Sequence, residues 1–454
     1  MPEVVGWQHH EEGVARLLES YAALDPGAPV RLAKKTSNLF RGHDRRRAGL
    51  DTTMLTGVIE VDGDVAHVQG MCTYEHLVEA TLAHGRIPYV VPQLRTITLG
   101  GAVTGLGVES TSFRNGLPHE SVREMDVLTG DGRVVTVRPG DALFDAFPNS
   151  YGSLGYATRL EIDLEAVGEF VTLRHIRFDD CARLAQAIDE IVQTRVWDHQ
   201  RVDGLDGVVF GPAEAYLTLA QFSAEPGPTS DYAGQRIYYR SLREGAVDRL
   251  TMADYLWRWD TDWFWCSGAF GAQHPLVRRV WPRRLRRSDV YWKLVALDRR
   301  WGIADRLDAR AGRPQAERVV QDVEVGIDRL ADFLVWFDAE VGMRPVWLCP
   351  LRLRREDADR PWPAYPLHAG TTYVNVGFWG RVAVGPDAPR SPVNRAIEAK
   401  VDELGGHKSL YSEAFYDRET FDRLYGTDRV RGVKDEYDPD HRLAGLFEKV
   451  VGHT

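Results

Sequence analysis

The chain has 454 residues, of which 44% are hydrophobic and 27% charged, and its formal net charge is −10. These values are typical of a soluble globular protein, and the acidic balance disfavours nucleic acid as a partner. The four cysteines, Cys72, Cys181, Cys266 and Cys349, lie far apart with no CxxC pair, which favours reduced thiols over a disulfide framework or a zinc site, so we expect no metal.

The sequence predicts neither a secretory signal nor a membrane span. The first ten residues lack a basic region followed by an apolar run, and no stretch approaches the roughly 18 uncharged apolar residues that a spanning helix needs. We therefore expect a cytoplasmic protein, with two domains because the chain is longer than a typical single domain.

Short helices and strands alternate over the first third of the chain. A helix is predicted over residues 8–24, because Val14, Leu17 and Leu18 begin a repeat at helical spacing. The further predictions are, in chain order, strands 58–61 and 65–68 joined by Asp62-Gly63-Asp64, a helix that follows Thr73 and is closed by Gly85, a strand over 87–91, a hairpin over 122–137 and a strand over 159–164. This mixture predicts an α+β domain without the strand, GxGxxG turn and helix of a Rossmann fold.

From about residue 166 onwards the chain is richer in aromatic side chains. Tryptophan is concentrated between Tyr255 and Trp265. A long helix is predicted over 317–339, because Val319, Val323 and Ile327 lie on one helical stripe.

Glycine is concentrated where a predicted strand ends. The run Val90-Val91-Pro92 leads into Thr98-Leu99-Gly100-Gly101 and Gly105-Leu106-Gly107, and Gly152-Ser153-Leu154-Gly155 follows later. Glycine lets backbone N–H groups approach a ligand, and successive N–H groups form an anion-binding concavity. Taken alone, these glycines are equally consistent with tight turns in a β-rich domain.

The ordered series of motifs resembles the FAD-binding domain of the vanillyl-alcohol-oxidase (PCMH-type) flavoprotein superfamily. Within it, the similarity is to the delta-24-sterol reductases of the Diminuto/seladin group and their bacterial relatives. The residues that carry the resemblance are Pro92, 98–101, 105–112, 115–117, Gly132, 152–155, 345–350, 373–377 and 410–411.

The resemblance implies the domain organisation of the chain. We expect an N-terminal helix within residues 1–29 and a PCMH-type FAD-binding domain of two subdomains over 30–165. A substrate domain, made of an antiparallel sheet covered by helices, is expected over 166–400. A C-terminal segment, 401–454, is expected to fold back on the flavin domain.

The resemblance also implies that FAD is the cofactor, and that it is held noncovalently because no histidine stands in residues 34–41, which replace the superfamily's first flavin loop. In that loop Thr36, Ser37 and Asn38 are expected to donate hydrogen bonds to FAD, while the basic residues neutralise phosphate; a solvated basic turn is the alternative. The other residues assigned to FAD are Pro92, Thr98, Leu99, Gly100, Gly101, Ala102, Gly105, Ser110, Thr111, Ser112, Gly116, Gly152, Gly155, Tyr156 and Ala157.

Three side chains are predicted to be catalytic. Glu109 comes where the superfamily's chain passes the flavin ring, although an ion pair with Arg114 is an equal alternative. Lys408 and Tyr411, with His407 beside them, lie in a segment that resembles the one over the flavin ring; a surface loop is the alternative here.

Two further segments have two interpretations each. The tryptophan-rich stretch predicts either an aromatic core or a substrate channel lined by Trp257, Trp259, Trp263 and Trp265. The run 278–287 interleaves arginines with apolar residues. It is consistent with a solvated face, or with peripheral docking on anionic lipid at the inner face of the membrane.

The function implied by the resemblance is an FAD-dependent reductase of an isolated C=C bond in a lipid. Hydride from reduced flavin is paired with a proton from the protein, and tryptophan can stabilise cationic character. The segment 35–41 and the missing N-terminal anchor favour the bacterial relatives, so we expect a mid-chain methylene-branched fatty acyl chain, reduced to a methyl-branched product of the tuberculostearic type.

NADPH is the implied electron donor, and a lipid methyltransferase is the expected functional partner. The alternatives are a delta-24-sterol-type reductase, an FAD-dependent oxidase or dehydrogenase of an alcohol or sugar, and a lipid-binding protein without flavin. Ala414 stands where related sugar-epimerising oxidases carry a lysine, which disfavours a sugar substrate.

Overall fold

The computed structural model describes residues 4–34, 49–302, 306, 310–355, 362–365 and 367–451. Two large antiparallel sheets organise the described chain, one of six strands and one of eight. Among the described residues, no helix is long and apolar enough to cross a membrane.

The first sheet has the strand order β1-β2-β6-β4-β5, with β3 paired to β6. The elements of this part are α1 (Gly6–Ala22), β1 (Val58–Asp62), β2 (Val65–Gln69), α2 (Tyr74–Leu82), β3 (Arg86–Pro88), α3 (Leu99–Gly105), α4 (Ser112–Asn115), β4 (Val122–Leu128), β5 (Val134–Val137), α5 (Ala142–Ala146) and β6 (Tyr156–Ala166). The N-terminal helix and both hairpins are confirmed, as is the helix after Thr73, whose hydroxyl accepts the backbone N–H of His76. The strand predicted over 87–91 is wrong in its bounds, because the chain leaves the sheet after Pro88.

The second sheet has the order β12-β7-β11-β10-β14-β15-β13-β16. Its part of the chain contains β7 (Phe170–Phe178), α6 (Cys181–Thr194), β8 (Val196–Trp197), β9 (Gln200–Arg201), β10 (Gly204–Gly211), β11 (Glu214–Ser223), α7 (Tyr238–Ser241), β12 (Val247–Thr251), α8 (Met252–Leu256), α9 (Pro275–Val280), α10 (Ser288–Trp301), β13 (Ala316–Gly326), α11 (Leu330–Glu340), β14 (Val346–Leu351), β15 (Tyr373–Ala383), α12 (Pro392–Glu403) and β16 (His407–Lys408).

The helix predicted over 317–339 is wrong for its first half. Residues Ala316–Gly326 form β13, and only Leu330–Glu340 form a helix, α11. Val319 and Val323 are four residues apart, a spacing that fits one helical face and equally one face of a strand. Residues Ala316 to Gly326 pair along their whole length with β15, and this pairing stabilises the strand over a helix.

The second sheet buries both of its faces. On one face, α6, α11 and α12 pack through Ile188, Phe333 and Ile397 in one continuous core. The other face carries Trp347 and Trp379, which belong to the core that extends into the first sheet. The second sheet is therefore positioned with an aromatic face toward the first part of the chain.

The C-terminal helices are α13 (Arg418–Leu424), α14 (Thr427–Tyr437) and α15 (Leu446–Val450). They contact the first part of the chain through two lysines. Lys434 Nζ donates to the carbonyl of Ser153 at 3.0 Å, and Lys449 Nζ donates to the carbonyl of Gly152 at 2.6 Å. The same C-terminal segment begins with β16, which is an edge strand of the second sheet.

Candidate active site

A cavity of about 320 Å³ lies between the α3 region and the aromatic face of the second sheet. This volume falls within the range of roughly 300–1,000 Å³ that small-molecule sites occupy. One wall consists of small residues, Gly100, Gly101, Ala102, Gly105, Gly107, Gly152, Gly155 and Ala157. The opposite wall consists of Trp263, Phe264, Trp292, Trp347, Trp379 and Tyr411, with the carboxyl group of Asp322 among them.

The glycine wall is fixed by close backbone packing. A Cβ atom on Gly100 would lie 2.7 Å from the carbonyl oxygen of Gly70, which is too close for any side chain. The N–H groups of Leu99 and Gly100 donate to the carbonyls of Cys72 and Gly70 at 2.9 and 3.0 Å. These two N–H groups are therefore satisfied by backbone carbonyls, so the expectation that they would bind a ligand is wrong.

Most of the residues predicted to bind FAD meet at this cavity. Those that line it are Pro92, Thr98, Gly100, Gly101, Ala102, Gly105, Gly152, Gly155, Tyr156 and Ala157. Those that do not are Leu99, Ser110, Thr111, Ser112 and Gly116. Thr36, Ser37 and Asn38, together with most of the predicted first flavin loop, lie outside the described residues.

The residues of 110–116 have structural partners instead of a place at the cavity. The Ser110 hydroxyl lies 2.6 Å from the Tyr255 hydroxyl, and the Thr111 hydroxyl donates to the carbonyl of Tyr89 at 2.8 Å. Ser112 Oγ accepts the backbone N–H of Glu109 at 3.2 Å. A direct contact with FAD through these side chains is not supported by their positions.

Glu109 also lies outside the cavity, in a buried ion cluster. Arg258 Nη2 lies 2.9 Å from Glu109 Oε1 and 2.7 Å from Asp206 Oδ2. Burial raises the pKa of Glu109, with Arg258 opposing this shift and Asp206 adding to it. Gln93, which does line the cavity, donates to Glu109 at 3.2 Å. Glu109 thus lies behind Gln93, outside the cavity, and is not positioned as a catalytic acid.

The alternative partner predicted for Glu109 is also wrong. Arg114 pairs with Glu165 at 2.7 Å and donates to the carbonyl of Asp203 at 2.6 Å. These contacts join α4 to β6 and to the start of β10, so Arg114 connects the two sheets.

Of the three side chains predicted in the C-terminal segment, only Tyr411 reaches the cavity. Lys408 is fully buried, and its Nζ donates to Ser412 and lies 3.8 Å from the carboxyl group of Glu398 on α12. His407 is also buried, which lowers its pKa to about 3 and keeps the ring neutral. The surface-loop alternative is wrong because these residues are inside the protein.

The residues of the tryptophan-rich stretch fall into two groups. Trp263 lines the cavity, whereas Trp257, Trp259 and Trp265 do not. Trp257 packs under the Arg95 guanidinium at 4.9 Å, and Trp259 donates to Asp206 at 2.9 Å. The channel interpretation is therefore wrong for these three tryptophans, which belong to the aromatic core or border it.

The backbone at this point of the aromatic wall is unusual. Trp263 and Phe264 have φ values of 44° and 59°, a left-handed conformation that bulky residues rarely adopt. The turn is held by hydrogen bonds from the N–H of Phe264 to the carbonyl of Trp259 and from the N–H of Trp263 to that of Asp260. Strain of this kind persists only where the surroundings enforce it, and it is common at functional sites.

The sequence prediction missed Asp322, the only carboxyl group among the described residues that line the cavity. Asp322 lies on β13, directly opposite Gly377 on β15. The Asp322 side chain is close to Asn375 and to the Tyr411 hydroxyl, which accepts the indole N–H of Trp379 at 2.8 Å. Carboxyl and phenol groups thus meet beside the aromatic wall.

Burial changes the proton affinity of this carboxyl group. It raises the pKa of Asp322 to about 7, while Asn375, Lys408 and Tyr411 act in the opposite direction. The next carboxyl group on the same strand face, Glu324, accepts from Ser409 at 3.0 Å, and burial raises its pKa to about 8. Asp322 can therefore carry a proton near neutral pH.

The residues around the cavity fit FAD. Small residues on one side of the cavity and aromatic rings on the other are surfaces against which a flat ring system can pack. At the cavity wall, Lys34 Nζ lies 3.3 Å from Thr98 Oγ1, so a cation and a hydroxyl are available for a phosphate group.

The comparison with known families agrees with this fit. Residues 2–138 match the FAD binding domain family. These residues thus carry an FAD-binding domain, and the predicted fold class, α+β with a PCMH-type FAD-binding domain, is confirmed.

Over most of its length the chain is similar to Delta(24)-sterol reductases. It is 23% identical to that of Arabidopsis thaliana over 98% of this chain and 84% of the relative. It is 22% identical to that of Homo sapiens over 87% of this chain and 76% of the relative. Cytokinin dehydrogenase 10 of Oryza sativa subsp. japonica is 32% identical over 27% of this chain and 22% of the relative. The predicted resemblance is confirmed, and the FAD-binding domain together with this similarity at low identity supports an FAD oxidoreductase.

Proposed function

We propose that the protein is an FAD-dependent reductase of an isolated C=C bond in a lipid. The observation that carries this proposal is the composition of the wall opposite the glycines. Six aromatic side chains offer an apolar surface for hydrocarbon, and Asp322 is the single carboxyl group that the described part of the chain places among them. An unactivated alkene needs these two things from the protein, a dry apolar site and a proton.

Asp322 is the proposed proton donor. Because its pKa is about 7, its carboxyl group holds a proton in a large fraction of molecules at neutral pH, and the neutral form suits an apolar site. The proton goes to one alkene carbon as the π bond breaks. FAD held in this cavity would, in its reduced form, supply the hydride for the second C–H bond. Tyr411, close to Asp322, orients the carboxyl group, and its own hydroxyl is held by Trp379.

The aromatic wall has a further role in this reaction. Protonation of a branched alkene develops positive charge on the more substituted carbon. Aromatic faces attract a desolvated cation by about 2 kcal/mol or more. Trp263, Trp292, Trp347 and Trp379 lie around the cavity, so their rings would stabilise this charge.

The proposed substrate is a mid-chain methylene-branched fatty acyl chain, which is reduced to the methyl-branched product. A second candidate is the sterol side chain, favoured by the similarity to Delta(24)-sterol reductases. Both substrates are branched alkenes in long apolar molecules, so both fit the same wall. We propose NADPH as the electron donor, and a lipid methyltransferase as the enzyme that supplies a methylene-branched lipid.

The test is a turnover experiment with the FAD-loaded protein and NADPH. Phospholipid with a mid-chain methylene branch and a sterol with a side-chain double bond are supplied separately, and the products are analysed by mass spectrometry. The saturated methyl-branched acyl chain supports the first substrate, and a saturated sterol supports the second. Rapid oxidation of an alcohol or sugar, with neither alkene reduced, would overturn the proposal in favour of an oxidase or dehydrogenase.

A further inference from the structure

One surface segment of the second domain combines exposed apolar and basic side chains. It spans residues 274–285 and contains α9; we name it the α9 segment. Leu276 is 70% exposed, Val280 is 78% exposed and Leu285 is 38% exposed. Leu276 and Val280 are four residues apart on α9, so they lie on one helical face.

Two buried arginines anchor this segment from below. Arg278 pairs with Asp262 at 2.7 Å and also donates to the carbonyl of Tyr232 at 2.9 Å. Arg286 donates to the carbonyls of Ala233 and Trp281. The interpretation of the whole run 278–287 as a lipid-facing or solvated basic face is therefore wrong for these two arginines. They fix the backbone of the segment to the protein.

The remaining arginines of the segment point outwards. Arg279 and Arg284 are exposed, and no acidic side chain among the described residues pairs with either of them. Arg283 pairs with the exposed Asp231. A local excess of positive charge thus surrounds apolar side chains on a chain whose net charge is −10.

We propose that the α9 segment docks the protein on an anionic lipid bilayer. Leu276, Val280 and Leu285 enter the boundary between headgroups and acyl chains, while Arg279 and Arg284 remain at the phosphate level. Apolar burial and attraction to anionic lipid add together in this arrangement. The two kinds of side chain are adjacent, which a solvated basic face does not require.

The position of the segment connects it to the cavity. The Trp281 ring lies 6.4 Å from Tyr291 on α10, and the next residue, Trp292, lines the cavity. A bilayer in contact with the α9 segment would therefore be close to α10, which contributes Trp292 to the aromatic wall. The use of this contact for substrate delivery rests on the proposed function, whereas the docking itself does not.

Flotation of the FAD-loaded protein with vesicles tests the docking. We expect binding to vesicles of phosphatidylglycerol and phosphatidylcholine, and at least tenfold weaker binding to phosphatidylcholine alone. The double variant L276D/V280D should bind at least tenfold more weakly than the wild type. The control is V335D, because Val335 on α11 is an apolar residue that is similarly exposed, at 64%, but lies outside the α9 segment. The charge variant R279E/R284E should lose the preference for anionic vesicles.

Equal binding of wild type, L276D/V280D and V335D would overturn the proposal, as would equal binding to both vesicle types. Thermal unfolding and flavin absorbance of each variant check that it is folded and loaded. Turnover with detergent-dispersed lipid separates the two proposals. If L276D/V280D reduces detergent-dispersed lipid normally but reduces vesicle lipid poorly, substrate delivery through the α9 segment is supported. If neither the wild type nor any variant reduces lipid, while the differences in vesicle binding are as expected, only the proposed reaction fails.

Discussion

Gly377 lies directly opposite Asp322 in the pairing of β15 with β13, and a Cβ atom on Gly377 would come within 2.6 Å of Asp322 Oδ1. The same Cβ atom would lie 2.5 Å from the Trp379 ring. The missing side chain therefore leaves the space in which the carboxyl group and the indole lie together. Gly377 is a positioning residue for the proposed proton donor.

Replacement of Gly377 by alanine should displace Asp322 from the aromatic wall. We expect the rate of alkene reduction to fall by about tenfold to a hundredfold, because a misplacement of about 1 Å can have this effect. Reduction of the flavin by NADPH should change little. The matched control is Gly211→Ala on β10, where the nearest atom to a new Cβ is 3.9 Å away. Equal rates in the two variants would contradict a positioning role.

Replacement of Asp322 by asparagine should remove the proton donor while keeping the size of the side chain. General acid catalysis contributes typically about 10²–10⁴-fold, so alkene reduction should fall by that factor. In the wild type, the rate should decline as the pH rises through about 7, because the carboxyl group then loses its proton. Asp322→Asn should not show this decline.

The control for this substitution is Asp328→Asn, since the Asp328 side chain is 75% exposed and outside the cavity. Stopped-flow absorbance separates flavin reduction from flavin reoxidation by lipid. If the flavin of Asp322→Asn is reoxidised by lipid at the wild-type rate, another group must be the proton donor.

Removal of the guanidinium of Arg258 should strongly destabilise the protein. Arg258→Met leaves the buried carboxylates of Glu109 and Asp206 without their shared cation, and breaking such a buried pair costs about 3–5 kcal/mol. Arg243→Met is the control, because the pair of Arg243 with Glu214 is at the surface and such pairs contribute about 1 kcal/mol or less. Urea denaturation measures both variants, and a similar loss in the two would contradict the importance of the buried cluster.

The stability of the fold should decrease as the pH rises above neutrality. Burial raises the pKa of Asp322 and Glu398 to about 7 and that of Glu324 to about 8. These carboxyl groups bind more protons in the folded state than in the unfolded state, so their contribution to the free energy of unfolding falls as the pH rises. Buried histidines such as His407 and His119, whose pKa burial lowers to about 3, oppose this trend below about pH 6.5. Urea denaturation at pH 7 and pH 8 should therefore show a decrease on the order of 1–2 kcal/mol. A smaller pH dependence in Asp322→Asn would assign part of it to this group, and an increase in stability with pH would contradict the raised values.

Local patterns in the sequence were sufficient to predict most of the first sheet and the position of the glycine wall. Hairpin turns such as Asp62-Gly63-Asp64 and the cap at Thr73 determine structure within a few residues, so they can be recognised without tertiary information. The glycines of 100–107 could be assigned to a cavity because the resemblance gave their order. The partners of the Leu99 and Gly100 N–H groups could not be predicted, since the carbonyls of Cys72 and Gly70 that accept from them belong to a turn far away in the sequence.

The aromatic wall could not be predicted from local patterns. Trp292, Trp347 and Trp379 come from α10, β14 and β15, and only the pairing of the sheet brings them together. Asp322 was missed for a related reason, because the stripe of Val319 and Val323 fits a helix as well as a strand. The β-branched run around Asp322 was the signal that could have indicated β13.

Anaerobic reoxidation of the reduced flavin by lipid tests the proposed reaction most directly. The FAD-loaded protein is reduced with NADPH without oxygen, and phospholipid with a mid-chain methylene branch is then added while flavin absorbance is recorded. We predict that NADPH abolishes the flavin absorbance and that the absorbance recovers only when the branched alkene is added. The amount of methyl-branched product should equal the amount of flavin that is reoxidised. Loss without recovery, for this lipid and for a sterol with a side-chain double bond, would contradict the proposed reduction of an isolated C=C bond.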